Sequence, residues 1–252
     1  MSRSVLVTGG SSGIGRAVVA RFAAGGDRVV ALGRDAAALE RLPADLHSGV
    51  TGPIETVACD VTDEEAVGAA FAAAGPLDVL VNNAGFAESA PLERTTLESW
   101  QRHLAVNATG AFLCTRAALP AMRERGRGAI VTVASTAARV GAPYTAAYAA
   151  SKHAAVGLMR AVAAEVAGTE IRVNAVCPTF VETPMTERSL ERIAASTGRS
   201  LEESAAALAG ASPLGRLLSP HEVADAVFWL ASEGARSINA QTLVLDGGGI
   251  QA

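Results

Sequence analysis

Ser4-Val-Leu-Val-Thr-Gly-Gly-Ser-Ser-Gly-Ile-Gly15 decides how the rest of this chain is read. Ser4–Thr8 is a short, β-branched, continuously apolar run, which predicts a buried strand. Residues 13–25 then place Ile14, Val18, Phe22 and Gly25 three or four apart, the period of a helix with one buried face. Between them Gly9, Gly13 and Gly15 follow a G-x-x-x-G-x-G spacing. Glycine lets the turn be tight and lets another group approach the backbone closely, and the helix N-terminus offers unpaired N–H groups to an anion such as a pyrophosphate. An ordinary loop between strand and helix could also be glycine-rich. The position of these glycines, at a strand end and a helix start, favours a nucleotide cradle.

The same alternation continues outward from this unit. Strands are expected at Arg28–Gly33, Ile54–Cys59, Asp78–Val81, Gly128–Ala134, Ile171–Val176 and Thr242–Leu245. Helices are expected at 35–42, 63–74, 97–123, 146–167, 187–209 and 220–232. Strands that are apolar throughout, without polar alternation, belong to a parallel sheet covered on both faces. The expected fold is α/β, a Rossmann-type doubly wound sheet of seven parallel strands with helices on both faces. Residues 1–252 are read as one domain that both binds the dinucleotide and carries the chemistry. The stretch around 183–212 is rich in Gly and Pro punctuation and reads as a small helical lid.

Composition bounds the function. The chain has 252 residues, half of them hydrophobic but only 4% aromatic, so the core must be built mainly from Ala, Val, Leu and Ile. Net charge is −4 and no basic run stands out, which argues against a nucleic-acid partner. No apolar run reaches the ~18 residues of a membrane span, and no signal-like segment precedes the first strand. A cytoplasmic protein without a membrane partner is expected. Cys59, Cys114 and Cys177 are far apart in apolar segments and read as buried reduced thiols. His47, His103, His153 and His221 form no metal-ligand grouping, so no metal is expected.

Tyr148-Ala-Ala-Ser-Lys152 places a phenol and an ammonium four apart near the start of a long helix, on one face. A free phenol has a pKa near ~10, and a fixed neighbouring cation favours its phenolate, so the pair is a plausible proton-transfer unit. Alone, the spacing is commonplace on solvated helices. Its context is not. Ser135 follows the apolar strand Gly128–Ala134, at a strand end that should face the ligand crevice. Asn107 sits within a helical stretch where Asn is a poor packing choice, and Asn82-Asn-Ala-Gly85 directly follows the fourth strand.

With Thr8-Gly-x-x-x-Gly-x-Gly at one end and Asp246-Gly-Gly248 at the other, these residues make the whole chain resemble the short-chain dehydrogenase/reductase family, in its branch of about this length. The resemblance implies a ketone–alcohol oxidoreductase that uses a nicotinamide cofactor. It implies a catalytic set of Asn107, Ser135, Tyr148 and Lys152. Tyr148 exchanges the proton. Lys152 lowers its pKa and binds the nicotinamide ribose, Ser135 holds the substrate oxygen, and Asn107 anchors a water leading from Lys152 to solvent. It implies cofactor contacts from Gly9, Ser11, Ser12, Gly13, Ile14, Gly15, Gly33, Arg34, Asp60, Val61, Asn83, Ala84, Gly85, Pro178, Val181 and Thr183, with Tyr148 and Lys152. One departure is Thr179, where the family usually has glycine. It should alter the backbone beside the nicotinamide.

The end of the second strand, Ala31-Leu-Gly-Arg-Asp35, bears on which nicotinamide is used. Gly33 stands where NAD-selective relatives carry an acid, and the Arg34 guanidinium can pair with a 2′-phosphate. NADP is therefore favoured over NAD, with Asp35 read as the cap of the next helix. The substrate cleft should be lined from Phe86–Ser89, Ala137–Thr145 and Phe180–Arg188. Local similarity to bacterial ketoreductases suggests a 3-oxoacyl-thioester or polyketide-type ketone first and a smaller cyclic or aryl secondary alcohol second. Two rival readings are an NAD-dependent catabolic secondary-alcohol or hydroxyacyl-CoA dehydrogenase and a catalytically silent nucleotide-binding regulator. Family relatives are commonly dimers or tetramers, and a homo-oligomer, tetramer before dimer, is expected.

Overall fold

In a computed structural model, which describes residues 2–251, the chain forms one seven-stranded sheet. The strands are β1 (Ser4–Thr8), β2 (Arg28–Gly33), β3 (Ile54–Ala58), β4 (Val79–Asn82), β5 (Arg127–Val133), β6 (Glu170–Pro178) and β7 (Thr242–Leu245). All pair in parallel, in the order β3-β2-β1-β4-β5-β6-β7. The order reverses between β1 and β4, where Val5, Leu6 and Val7 pair with Val79, Leu80 and Val81. Chains leaving β1 and β4 turn to opposite faces there, and a crevice opens beyond their carboxyl ends.

Six of the nine α-helices among the described residues cover the sheet. On one face lie α1 (Gly13–Ala24), α2 (Ala36–Leu46) and α9 (Pro220–Leu230), closing over Val18, Phe22, Leu39, Val223 and Val227. On the other lie α3 (Glu64–Ala74), α5 (Gly110–Arg125) and α6 (Ala146–Glu165), closing over Phe71, Leu113, Met122, Val156 and Met159. With so few aromatic residues, small side chains let these helices lie close to the sheet. Gly110, for instance, packs where a Cβ would come 2.7 Å from Val61 Cγ2. The three cysteines are buried and free, and burial pushes the Cys114 thiol up to about 12.

Two expected helices differ in detail. The stretch read as 97–123 is α4 (Leu97–Leu104) and α5 joined by a π turn, Ala105–Thr109, and it runs on to Arg125. The stretch read as 187–209 is α7 (Pro184–Thr197) and α8 (Leu201–Gly210), broken at Gly198, whose φ of +73° ends α7 in the left-handed region. This insertion hangs from a narrow neck. Val181 bridges Leu218, Glu182 N–H donates to Leu218 O at 2.9 Å, and Leu218 N–H donates to Phe180 O at 2.9 Å.

Candidate active site

The glycine turn after β1 is strapped to the turn after β4. Thr8 Oγ1 accepts the N–H groups of Asn83 and Ala84, each at 2.9 Å, and Asn83 Nδ2 donates to Thr8 O at 2.9 Å and Gly9 O at 3.2 Å. Gly9 has φ +65° and packs where a Cβ would touch Ala84 Cα at 3.0 Å. At Gly15 a Cβ would collide with Gly9 O at 2.0 Å, so α1 can approach the turn only with glycine there. Gly13 has φ +52°, and a Cβ on it would sit 3.2 Å from Thr183 Cγ2, which places the base of the insertion over the turn.

These observations test whether a dinucleotide fits. No side chain caps the first turn of α1 at Ser12, and no acid lies in it, whereas Asp35, Asp63 and Thr96 cap α2, α3 and α4. The amide groups of Gly13, Ile14 and Gly15 therefore lie at an N-terminus open to an anion, as a pyrophosphate requires. Ser11 borders Gly33 at the end of β2, where a Cβ would lie 3.3 Å from Ser11 Oγ. Beyond Gly33, Arg34 is 62% exposed and stands 3.9 Å from the Asp60 carboxylate. Asp60 also accepts from Thr62 N and Oγ1; burial pushes its carboxyl up, but these hydrogen bonds and Arg34 bring it below its ordinary value. Val61 is buried beside it. Asp35 caps α2 by accepting Ala38 N–H at 2.9 Å. The residues present thus fit a nicotinamide dinucleotide.

The reacting end lies beyond β5 and β6. Ser135 leaves β5 in extended conformation and starts a short turn, its Oγ accepting Ala137 N–H at 3.1 Å. Tyr148 lies half-buried in the first turn of α6. Lys152 is buried one turn later, donating to Val133 O at 2.9 Å, with Nζ 5.8 Å from the Tyr148 ring centroid. The sheet register and the start of α6 thus bring Ser135, Tyr148 and Lys152 together. Burial raises the Tyr148 phenol above its ordinary value, and a hydrogen bond with Ser135 partly offsets this. Burial brings the Lys152 ammonium down to about 8. In the protein alone, burial rather than the neighbouring cation sets the direction at Tyr148.

Asn107 has a reason for its place that periodicity could not supply. The π turn, a local widening of the helix often found at functional sites, aims its side chain inward. Its Nδ2 donates to Phe86 O at 2.9 Å and Ser151 Oγ at 2.8 Å, and its Oδ1 accepts Phe86 N–H at 2.8 Å. Ser151 Oγ in turn donates to Tyr148 O at 2.7 Å. Asn107 therefore fixes both the chain after Gly85 and the first turn of α6. Gly85 lies between them, with Asn107 Oδ1 and Lys152 Nζ at 3.4 and 3.6 Å from a Cβ placed there.

Nearby, Pro178 closes β6 and Val181 is buried at the neck. Thr183 caps α7 by accepting Thr186 N–H at 3.3 Å. Thr179 follows Pro178 directly. Its N–H donates to Leu245 O at 3.0 Å, continuing the β6–β7 ladder, and its φ is not left-handed, so nothing there requires glycine.

A cavity of about 290 Å³ lies near the start of α6, lined by Glu88, Ser89, Arg94, His103, Tyr144 and Arg192 among others, and by none of Ser135, Tyr148 and Lys152. Only part of the expected lining takes part in it. The turn around Arg94, His103 on α4 and Arg192 on α7 were not anticipated. His103 is fully buried, with the Phe86 ring centroid 4.7 Å and the Tyr148 ring centroid 6.3 Å from its own. Its Nδ1–H donates to Ser99 O at 2.7 Å and its Nε2 accepts Glu88 N–H at 2.9 Å. The available signal was that His103 precedes Asn107 by one helical turn and so shares its face.

A family model described as enoyl-(acyl carrier protein) reductase matches residues 9–249. A 2-(R)-hydroxypropyl-CoM dehydrogenase from Xanthobacter autotrophicus is 42% identical, covering 98% of each chain. A granaticin polyketide synthase putative ketoacyl reductase from Streptomyces violaceoruber is 40% identical, over 96% of this chain and 91% of its own. Among solved structures, an actinorhodin polyketide ketoreductase variant with NADPH superposes with a TM-score of 0.93 at 38% identity, covering 98% of this chain and 97% of its own. The chain belongs to the short-chain dehydrogenase/reductase family. As a member of that family it is an oxidoreductase that interconverts ketones and secondary alcohols with NAD(P). No helix among the described residues of this short-chain dehydrogenase/reductase is long and apolar enough to cross a membrane.

Proposed function

We propose that this chain is an NADP(H)-preferring ketoreductase in which Tyr148 is the proton donor. The observation that carries the reading is the meeting of Ser135, Tyr148 and Lys152 at the carboxyl end of β5, beside the β1–β4 crevice. A nicotinamide dinucleotide held here would supply the hydride in reduction and accept it in oxidation. Gly9, Ser11, Ser12, Gly13, Ile14 and Gly15 would hold the pyrophosphate side, and Asp60, Val61, Asn83, Ala84 and Gly85 the adenosine side. Pro178, Val181 and Thr183 would hold the carboxamide end. Ser135 Oγ–H holds the carbonyl oxygen, and Tyr148 Oη–H gives it a proton as the carbon is reduced. The Lys152 ammonium, close to the ring, offsets the charge left on the phenolate. Asn107 positions the pair through Phe86 and Ser151.

Gly33 and Arg34 support the preference for NADP, since no acid at the end of β2 repels a 2′-phosphate and an exposed guanidinium stands beside it. A solved relative that carries NADPH supports the same reading. The names of the ketoacyl reductase relatives support a 3-oxoacyl or polyketide-type ketone. A second reading, oxidation of a small secondary alcohol with NAD, draws support from the relative named as a hydroxypropyl-CoM dehydrogenase. The proposal extends to a cytoplasmic enzyme of one domain that assembles as a homo-oligomer.

One experiment tests the chemistry and the cofactor together. A panel of ketones and secondary alcohols is followed at the nicotinamide absorbance with NADP(H) and NAD(H), for wild type, Tyr148→Phe and Arg34→Ala. Tyr148→Phe should lower turnover by ~10²–10⁴ with cofactor binding retained. Arg34→Ala should weaken NADP roughly tenfold or more, the worth of a charge-assisted hydrogen bond, and leave NAD nearly unchanged. A Tyr148→Phe protein with wild-type turnover would overturn the mechanism, and equal weakening of both cofactors would remove the case for NADP.

A further inference from the structure

Of the eight residues of α4, His103 is the one that is fully buried, a place where a packed helix ordinarily carries an aliphatic side chain. An imidazole can be buried at little cost only when both ring nitrogens are paired. Nδ1–H donates to Ser99 O, one turn back on α4, at 2.7 Å, which leaves Nε2 as an acceptor, and Nε2 takes the Glu88 N–H at 2.9 Å. Asn107, one turn further along, binds the N–H and C=O of Phe86. The two side chains thus clip alternate residues of the segment that leaves β4. The hydrogen bonds do not account for what the ring touches. Its centroid is 4.7 Å from that of Phe86, which the Arg102 guanidinium covers at 4.1 Å, and 6.3 Å from that of Tyr148, the two rings inclined at 71°. With both nitrogens bonded and no exposed surface, the imidazole has no freedom to turn. Tyr148 is therefore bounded from three elements: by Lys152 on its own helix, with Nζ 5.8 Å from the ring centroid, by Ser135 at the end of β5, and by His103 on α4.

We propose that His103 is a positioning residue for the reaction: its fixed imidazole is the wall against which the Tyr148 ring rests, and it sets where the phenol oxygen meets the ketone oxygen. The reading deepens the ketone–alcohol function above and rests on it. Proton donation needs Tyr148 Oη and Ser135 Oγ to converge on one oxygen, and a displacement of about 1 Å in such a constellation can cost on the order of a hundredfold in rate. A ring at position 103 denies the Tyr148 ring room to tilt toward α4. His103 itself touches no reacting atom, so what it supplies is read in kcat.

The test measures kcat and KM for ethyl acetoacetate and the ketone panel above with NADPH, in wild type, His103→Leu, His103→Phe and His103→Gln. Leucine and phenylalanine both give up the two hydrogen bonds, so any loss from a freed Glu88 N–H is common to them, but only phenylalanine keeps a flat ring against Tyr148. Glutamine keeps an acceptor for the Glu88 N–H and has no ring. His103→Leu and His103→Gln should lower kcat roughly ten- to a hundredfold, and His103→Phe should recover most of it. A second arm follows ring-labelled tyrosine by NMR, the chain having two tyrosines, Tyr144 and Tyr148, which Tyr144→Phe tells apart. The Tyr148 signals should move in His103→Leu and return toward their wild-type positions in His103→Phe. Equal kcat in His103→Leu and His103→Phe, or full activity in His103→Gln, would reduce His103 to a support for Glu88 and overturn the positioning role. If His103→Leu does not fold, glutamine against phenylalanine carries the same comparison. Tyr148 signals that follow the ring at 103, with no ketone turned over by wild type, would leave the wall standing and overturn the reaction. Turnover by wild type, with Tyr148 signals unmoved in His103→Leu, would do the reverse.

Discussion

Lys152 carries an electrostatic cost that its position imposes. Its ammonium is buried against the sheet with one acceptor, Val133 O at 2.9 Å, and burial lowers its pKa from 10.5 to about 8. A base whose folded pKa is depressed destabilises the fold wherever it must be charged, and that cost fades as pH rises from the folded to the unfolded value. Below about pH 8 the protein bears the whole cost; above about 10.5 it bears none. Lys152→Met removes the titration and leaves the other groups in place. Relative to that variant, wild type should gain about 3 kcal/mol of stability between pH 7 and 10.5. Denaturant titrations of both proteins across that range measure the gap. A gap that stays constant with pH would show that Lys152 is not charged and buried in the fold. Tyr148 behaves in the opposite sense as an acid: burial raises it, so it remains protonated through neutral pH, which suits donation to a ketone.

At the scale of elements, the insertion and the helix pair α4–α5 show how local structure serves the site differently. The π turn at Ala105–Thr109 fits into the middle of a long helical pattern and turns Asn107 toward Phe86 and Ser151. The insertion has little to hold it. None of the residues of α7 is fully buried, and in α8 only Ser204 is. Its caps are local, Thr183 at α7 and the Ser200–Glu203 box at α8. Few buried contacts mean a low free energy of local opening, while the neck at Val181 and Leu218 is pinned by backbone bonds. Hydrogen exchange should therefore be fast across 184–210 and slow at the amides of Glu182 and Leu218. Exchange within α7 and α8 as slow as in β4 and β5 would contradict a gating role for this segment.

The surface of the whole molecule bears on assembly. Trp100 on α4, Phe112 on α5 and Trp229 on α9 are 36%, 41% and 44% exposed, large apolar groups on the outer helices. Large aromatic residues are enriched at interfaces between copies of a chain, which makes these helix faces the candidates for one. A native mass measurement at micromolar concentration should give a dimer or tetramer with closed symmetry. A monomer under those conditions would rule out the proposed assembly.

The sequence by itself determined what depends on neighbours along the chain. Apolar runs of strand length alternating with helical periods required a parallel sheet covered on both faces, and the sheet has the seven strands expected. Glycine at positions 9, 13 and 15 was legible because a tight turn between strand and helix constrains adjacent backbone. Asp35 was legible as a cap for the same reason. Tertiary structure alone decided what depends on residues distant in sequence. The π turn does not change composition or obvious period, so only packing against Phe86 and Ser151 reveals what Asn107 holds. His103 reads as an unremarkable helical residue until α6 brings the Tyr148 ring against it, the two rings near perpendicular. Arg94 and Arg192 are separated by most of the sheet's second half, and nothing local ties one to the other. They line one cavity because β4 and β6 end at the same edge of a parallel sheet, so the chain segments leaving them meet above it.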